Sequence, residues 1–159
     1  MLLLVSDANI LIDIEEGGLL DDFFVLPYRF VTPDILFYEE LDDQHAHLLE
    51  LGLEIRELSP DSVLYASHLI QNYNGPSAND CFALALASQE QCPLLTGDQA
   101  LRTAANREDI EIRGTIWIVE ELVRHNVIGI ARAHEAYHRM KDRGRRLPWE
   151  IAHEGLDTF

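Results

Sequence analysis

Positive charge is scarce in this sequence. Lysine and arginine number 12 against 28 aspartates and glutamates, a formal net charge of −16 over 159 residues. Such a surface repels polyanions at long range, so any nucleic-acid chemistry has to come from a local basic patch or from bound cations. Cysteine is scarce too. Cys81 and Cys92 are the only two, eleven positions apart with no CxxC, which excludes a disulfide scaffold and a zinc ribbon and leaves both as packing residues. No apolar run reaches the ~20 residues of a membrane span, and the opening MLLLVSDANI has neither a positive region before its apolar run nor a small-residue cleavage site. The expectation is a cytoplasmic protein with no membrane partner. Internal repeats and low-complexity linkers are also missing.

What is there is the material of a core. Hydrophobic residues make up 47% of the chain, too many for a disordered acidic tail, and the length suits one domain. Apolar β-type runs at 2–6, 29–32, 53–58, 93–96 and 110–113 alternate with helical patterns starting near Ala8, Pro33, Pro60, Ser77, Gln99 and Thr115. This alternation predicts βαβ units and a parallel sheet with helices on both faces. Thr32-Pro33 and Ser59-Pro60 each put a capping hydroxyl before a proline, and Ser77 caps a run rich in Ala and Leu. The first and fourth strands are continuously apolar, as central parallel strands must be. Leu53-Glu54-Ile55-Arg56 and Ile110-Glu111-Ile112-Arg113 alternate, as edge strands do. Right-handed crossovers then give a five-stranded parallel sheet of order 3-2-1-4-5 in an α/β/α sandwich, with ligands expected where the winding reverses, at the carboxyl ends of strands one and four.

Carboxylates stand at those two ends: Asp7 in VSDAN and Asp98 in LLTGD. Asp80, in GPSAND, opens the helix leading into the fourth strand, and Glu40, in FYEEL, lies on the helix after the second. Acids far apart in sequence thus converge on one switch point. Hard oxygen ligands with no Cys or His among them suit Mg²⁺ or Mn²⁺, and such an ion activates water and stabilises the leaving oxygen of a phosphodiester. Each aspartate also suits a plainer task. Asp7 and Asp98 can cap the helices that follow them, and Ser77-x-x-Asp80 is close to a capping box. Glu40 can be solvated helix surface, with Glu39 nearly as well placed. Asn9, Thr96 and Asn79 either hydrogen-bond the acids or serve as turn and cap residues.

These residues carry a family resemblance. Asp7-Ala8-Asn9 after the first strand, Glu40-Leu41 on an early helix, Asp80 opening an Ala-rich helix and Leu95-Thr96-Gly97-Asp98 resemble, in that order, the motifs of PIN domains, the small nuclease domain of VapC-type toxins. The resemblance covers residues 1–126, a PIN-like nuclease domain, and leaves 127–159 as a C-terminal helix and irregular tail belonging to the same domain. It implies Asp7, Glu40, Asp80 and Asp98 as catalytic metal ligands, with Glu40 preferred to Glu39 because the family's second acid directly precedes a leucine. It further implies a Mg²⁺- or Mn²⁺-dependent endoribonuclease, frequent homodimerisation and often inhibition by a small antitoxin protein.

Two further segments stand out. Arg139, Lys141, Arg143, Arg145 and Arg146 crowd five of the twelve basic residues into eight positions. Arg143, Arg145 and Arg146 either contact RNA phosphates or are solvated cations beyond a helix C-terminus. His134-Glu135-Ala136-Tyr137-His138 matches the zinc pattern HExxH, but the longer zincin pattern would need Gly at 141 and His at 144, where Lys141 and Gly144 stand. His45 and His47, two apart, do not share a face. The competing reading of the whole is a non-catalytic acidic α/β module that binds a basic protein partner.

Overall fold

Strand β1 (Leu2–Ser6) is the centre of the molecule, buried from Leu4 onward and paired in parallel with β2 (Tyr28–Pro33) on one side and β4 (Leu94–Leu95) on the other. A computed structural model of the chain describes residues 2–159. The edge strands are β3 (Glu54–Arg56) and β5 (Ile112–Arg113), neither of them fully buried, and the five parallel strands run in the order β3-β2-β1-β4-β5. The expected sheet is therefore the observed one, although β3 and β5 are shorter than their alternating sequences suggest.

Helix α1 (Ala8–Glu16) follows β1 and α2 (Leu20–Phe23) leads back to β2. After β2 the expected helix is broken into α3 (Asp34–Leu36), a π-helical turn (Phe37–Leu41), α4 (Asp42–His45) and α5 (His47–Leu51). Long helices α6 (Pro60–Asn72) and α7 (Ala78–Glu90) precede β4, α8 (Gln99–Arg107) joins it to β5, and α9 (Thr115–Arg124) follows. The first layer is α7 on β1, β2 and β4 with α6 outside it; α1, α2, α9 and α10 (Ile130–Asp142) pack together as the second.

Side-chain caps mark the starts of α1, α6, α7 and α8. Ser59 Oγ accepts from Ser62 N–H with Pro60 at the first helical position, and Ser77 and Asp80 form a reciprocal capping box. Thr32 is different. Its hydroxyl donates across the sheet to the Ser6 carbonyl at 3.0 Å, and Pro33 remains in β2. A buried hydroxyl with an interstrand acceptor gains more there than at a helix end facing water. Cys81 and Cys92 are buried, and burial pushes both thiols up to about 11, so they act as inert packing groups.

The C-terminal region is more regular than its sequence suggests. Residues expected as an irregular tail include α11 (Trp149–Leu156), which packs on α10. Gly144, at φ +84°, takes the left-handed conformation after α10 and turns the chain back so that Arg145 N–H reaches the Met140 carbonyl at 3.0 Å. Tyr137 of α10 is fully buried, its ring 6.4 Å from that of Trp149, and its hydroxyl has no hydrogen-bond partner. Tyr137→Ala should cost about 3–5 kcal/mol, a fall in melting temperature of roughly 2–4 °C for each of them. Tyr137→Phe should leave it unchanged or raise it, because only an unsatisfied hydroxyl is lost. Thermal melts of both variants test whether α10 belongs to the core.

Candidate functional site

Asp7 is the first residue past β1. Its N–H donates to the Leu95 carbonyl at 3.0 Å, which ties it to the end of β4, and its Oδ1 accepts from Ile10 N–H, also at 3.0 Å, as the N-cap of α1. The second oxygen, Oδ2, is buried and has no hydrogen-bond partner. With only 2% of its surface exposed, the carboxyl is pushed up to about 7, first by loss of water and further by the charges of Asp80 and Asp13. The Thr96 hydroxyl and the Ile10 N–H oppose the rise.

Asp98 caps α8 in the same way, Oδ1 accepting from Leu101 N–H at 3.0 Å, but is exposed. Its own N–H donates to the buried Thr96 Oγ1 at 3.1 Å. Asp80 Oδ2 accepts from Ser77 N–H at 2.9 Å, and Ser77 Oγ accepts from Asp80 N–H at 3.0 Å. Partial burial raises the Asp80 carboxyl, and the Asp98 charge adds to this. Glu40 is exposed on the π-helical turn, which buries Phe37 and Leu41 and turns both glutamates outward. Its carboxyl is raised by partial burial, by Asp80 and by Glu39, with Asn79 opposing. Asn79 Nδ2 itself donates to Glu39 at 2.9 Å.

Asp80 is thus the link among the four acids, its charge felt by Asp7 and Glu40 while it feels that of Asp98. Among the described residues no three of the four bring a carboxylate oxygen each within 4.8 Å of one another. The capping tasks and the cluster coexist, since each cap uses a single oxygen: Oδ1 of Asp7, Oδ2 of Asp80 and Oδ1 of Asp98.

One acid was missed by sequence reasoning. Asp13 is 6% exposed; its Oδ2 accepts from Thr115 Oγ1 at 2.8 Å and its Oδ1 from Arg145 Nε at 2.6 Å. Arg145 also donates to Asn9, at 3.1 Å to the side-chain oxygen and 3.4 Å to the backbone oxygen. The signal was available, for Asp13 falls in the stripe of Ile10 and Ile14, a position of α1 that must face the core. Arg145 is accordingly engaged with Asp13 and Asn9 and not with Asp7, Glu40, Asp80 or Asp98, and Arg143 pairs with Glu16 at 3.2 Å. Arg146 is exposed and forms no ion pair among the described residues. It borders a cavity of about 310 Å³ whose walls include Asn9, Asp13, Gly97 and Asp98. The one unengaged arginine of the three therefore opens onto the acidic edge.

The HExxH histidines face elsewhere. His134 Nδ1 lies 2.7 Å from His153 Nδ1, with the rings stacked at 4.9 Å, and His138 stands 4.7 Å from the same ring. Burial and the two neighbouring imidazoles hold His153 below its ordinary value.

A doubly wound sheet with acids at its switch point has a counterpart among known families. The family model described as a PIN domain matches residues 3–159, and the chain belongs to that family. PIN domains are in general nucleases that use divalent metals. No curated protein matches the chain. No helix of the described residues is long and apolar enough to cross a membrane.

The carboxyl at Asp7 has a consequence for stability. Its folded value of about 7 exceeds the unfolded 3.8, so between them the folded state binds more protons and metal-free stability falls as pH rises. Asp7→Asn keeps the helix cap and removes the buried charge. The variant should melt close to wild type near pH about 4 and above it beyond about 7, by roughly 2–4 °C for each kcal/mol relieved. Melts across that range in chelator would refute the burial argument if both proteins kept the same pH slope.

Proposed function

We propose that the chain is a Mg²⁺- or Mn²⁺-dependent endoribonuclease in which Asp7, Glu40, Asp80 and Asp98 hold the metal. The observation that carries this reading is Asp7 Oδ2, a buried carboxylate oxygen without a partner, adjoining acids that raise its carboxyl further. A buried carboxylate oxygen left without a hydrogen bond either takes a proton or has a cation to bind. The donors are oxygens alone, which fits a hard divalent cation better than zinc or copper. When bound, such an ion activates water and neutralises charge developing on a phosphodiester.

The chain's own groups divide the remaining work. Asp7 must give up its proton to bind a cation, so metal affinity should increase through about pH 7. Thr96 fixes the Asp98 backbone by accepting its N–H. Arg146 offers a cation to an RNA phosphate at the cavity rim, while Arg145 serves the same loop indirectly by anchoring it to Asp13. No side chain is assigned as nucleophile; water takes that part. Residues 1–126 and 127–159 are proposed to act as one domain, since Arg145 and Arg146 of the second stretch reach the cavity beside Asp98.

A VapC-type toxin role belongs to the same proposal, with a small antitoxin or a second copy of the chain as protein partner and the cytoplasm as its place. Exposed Ile35 and Val63, which share a groove with Phe82, support a protein-binding surface.

Purified protein should cleave RNA with Mg²⁺ or Mn²⁺ and stop in chelator. Asp98→Asn, which keeps the cap, should lower cleavage by more than the about 10–100-fold typical of outer ligand partners. Cleavage undiminished by excess chelator would refute the metal reading.

The basic segment has its own test, read from the salt dependence of RNA binding. Arg146→Gln should reduce the slope by about one contact's worth and leave the melting temperature unchanged. Arg145→Gln should lower the melting temperature, because it strands the buried Asp13. Equal slopes for wild type and Arg146→Gln would remove Arg146 from the RNA interface.

A further inference from the structure

A second group of ligand-type side chains lies away from the acidic edge. Glu15, on the last turn of α1, stands between His45, at the end of α4, and His47, at the start of α5. One ligand atom from each lies within 4.8 Å of the other two, the only such trio of His, Cys, Asp or Glu among the described residues. In one continuous helix residues 45 and 47 would point apart. Here the helix is interrupted at Ala46, where Leu49 N–H takes a shorter i+3 bond to the Ala46 carbonyl. The interruption brings the two rings to 6.2 Å on the same side, against one carboxylate.

The contacts themselves are informative. Glu15 Oε1 meets His47 Nε2, and Glu15 Oε2 meets His45 Nδ1. His45 Nδ1 is shut off from solvent, yet the contact lacks hydrogen-bond geometry and the nitrogen has no other partner. A buried imidazole nitrogen without a hydrogen bond, beside a carboxylate that a second imidazole also meets, is a donor atom still free to take a cation. We propose that Glu15, His45 and His47 bind a zinc-type divalent cation, at a site separate from the acidic edge. Two imidazoles and one carboxylate form a borderline ligand set that favours Zn²⁺, Co²⁺ or Ni²⁺ over Mg²⁺. His47 is 45% exposed, so water completes the coordination and the ion exchanges with solution. Bound there, it clamps the C-terminal turn of α1 to the joint between α4 and α5.

The test uses untagged full-length protein, stripped with chelator and returned to buffer containing excess Mg²⁺ to saturate hard oxygen sites. Co²⁺ should bind with one-to-one stoichiometry, produce visible d–d bands, and be displaced by Zn²⁺; Zn²⁺ should raise the melting temperature. His47→Gln and Glu15→Gln, both at partly exposed positions, should weaken Co²⁺ binding by more than about 100-fold, beyond what loss of an outer partner costs. Asp98→Asn should bind Co²⁺ as wild type does, whether or not the protein cleaves RNA. Absence of the bands, or bands that persist in both His47→Gln and Glu15→Gln, would overturn the site. So would their loss in Asp98→Asn or in His138→Gln, which would assign the ion to the acidic edge or to the histidines of α10 and α11.

Discussion

A carboxylate stripped of water has to be compensated, and in this protein that requirement falls on Asp7. Its backbone is bound to the end of β4 and its side chain caps α1, so it cannot move to solvent without breaking the junction where the sheet reverses its winding. The fold therefore holds a desolvated acid at the one place where two central parallel strands open a crevice. Asp80 adds its repulsion from the start of α7. Without a cation, the proton is the only counter-charge at hand, which is why the carboxyl of Asp7 is pushed up to about 7.

The C-terminal stretch answers the charge problem by position more than by number. A chain of net charge −16 gains little from cations scattered over its surface, where exposed pairs contribute a fraction of a kcal/mol. Concentrating them beyond α10, and turning the chain at Gly144, directs them to α1 and the acidic edge. Arg145 is consumed in that return by Asp13 and Asn9. Asp13 in turn receives Thr115 from α9, so one buried acid joins three parts of the second layer. Arg146 follows with no partner among the described residues, held by its neighbour's anchorage.

Fold and site were unequally legible in the sequence. Continuous apolar runs named β1 and β4 as central, alternation named β3 and β5 as edges, and the Ser77 box marked α7, because each depends on local pattern. The positions of Asp7 and Asp98 at strand ends followed from the same patterns. What escaped was decided by distant partners. Thr32 looks like a cap until Ser6 is beside it. Asp13 looks like one more surface acid until Thr115 and Arg145 arrive from more than a hundred positions away. The breaks at the π-helical turn and at Ala46 leave no glycine or proline to mark them, so His45 and His47 could not be placed together from their spacing. Helix α11 opens at Pro148-Trp149 with no side-chain cap of the kind that marks α1, α6, α7 and α8.

Capping and ligation are often treated as alternatives for an aspartate at a helix start, but here they reinforce each other. A helix N-terminus carries about half a positive charge; Asp7 and Asp98 accept N–H groups of α1 and α8, and Asp80 accepts the N–H of Ser77, the N-cap of α7. Each bond fixes one carboxylate oxygen and the rotamer with it, leaving the other oxygen on a stiff mount. The helix dipoles also offset part of the repulsion between these acids. Replacing a cap by Asn keeps the helix and removes only the free charge. A structural role and a ligating role thus occupy different oxygens of the same side chain, and the edge of this sheet has use for both.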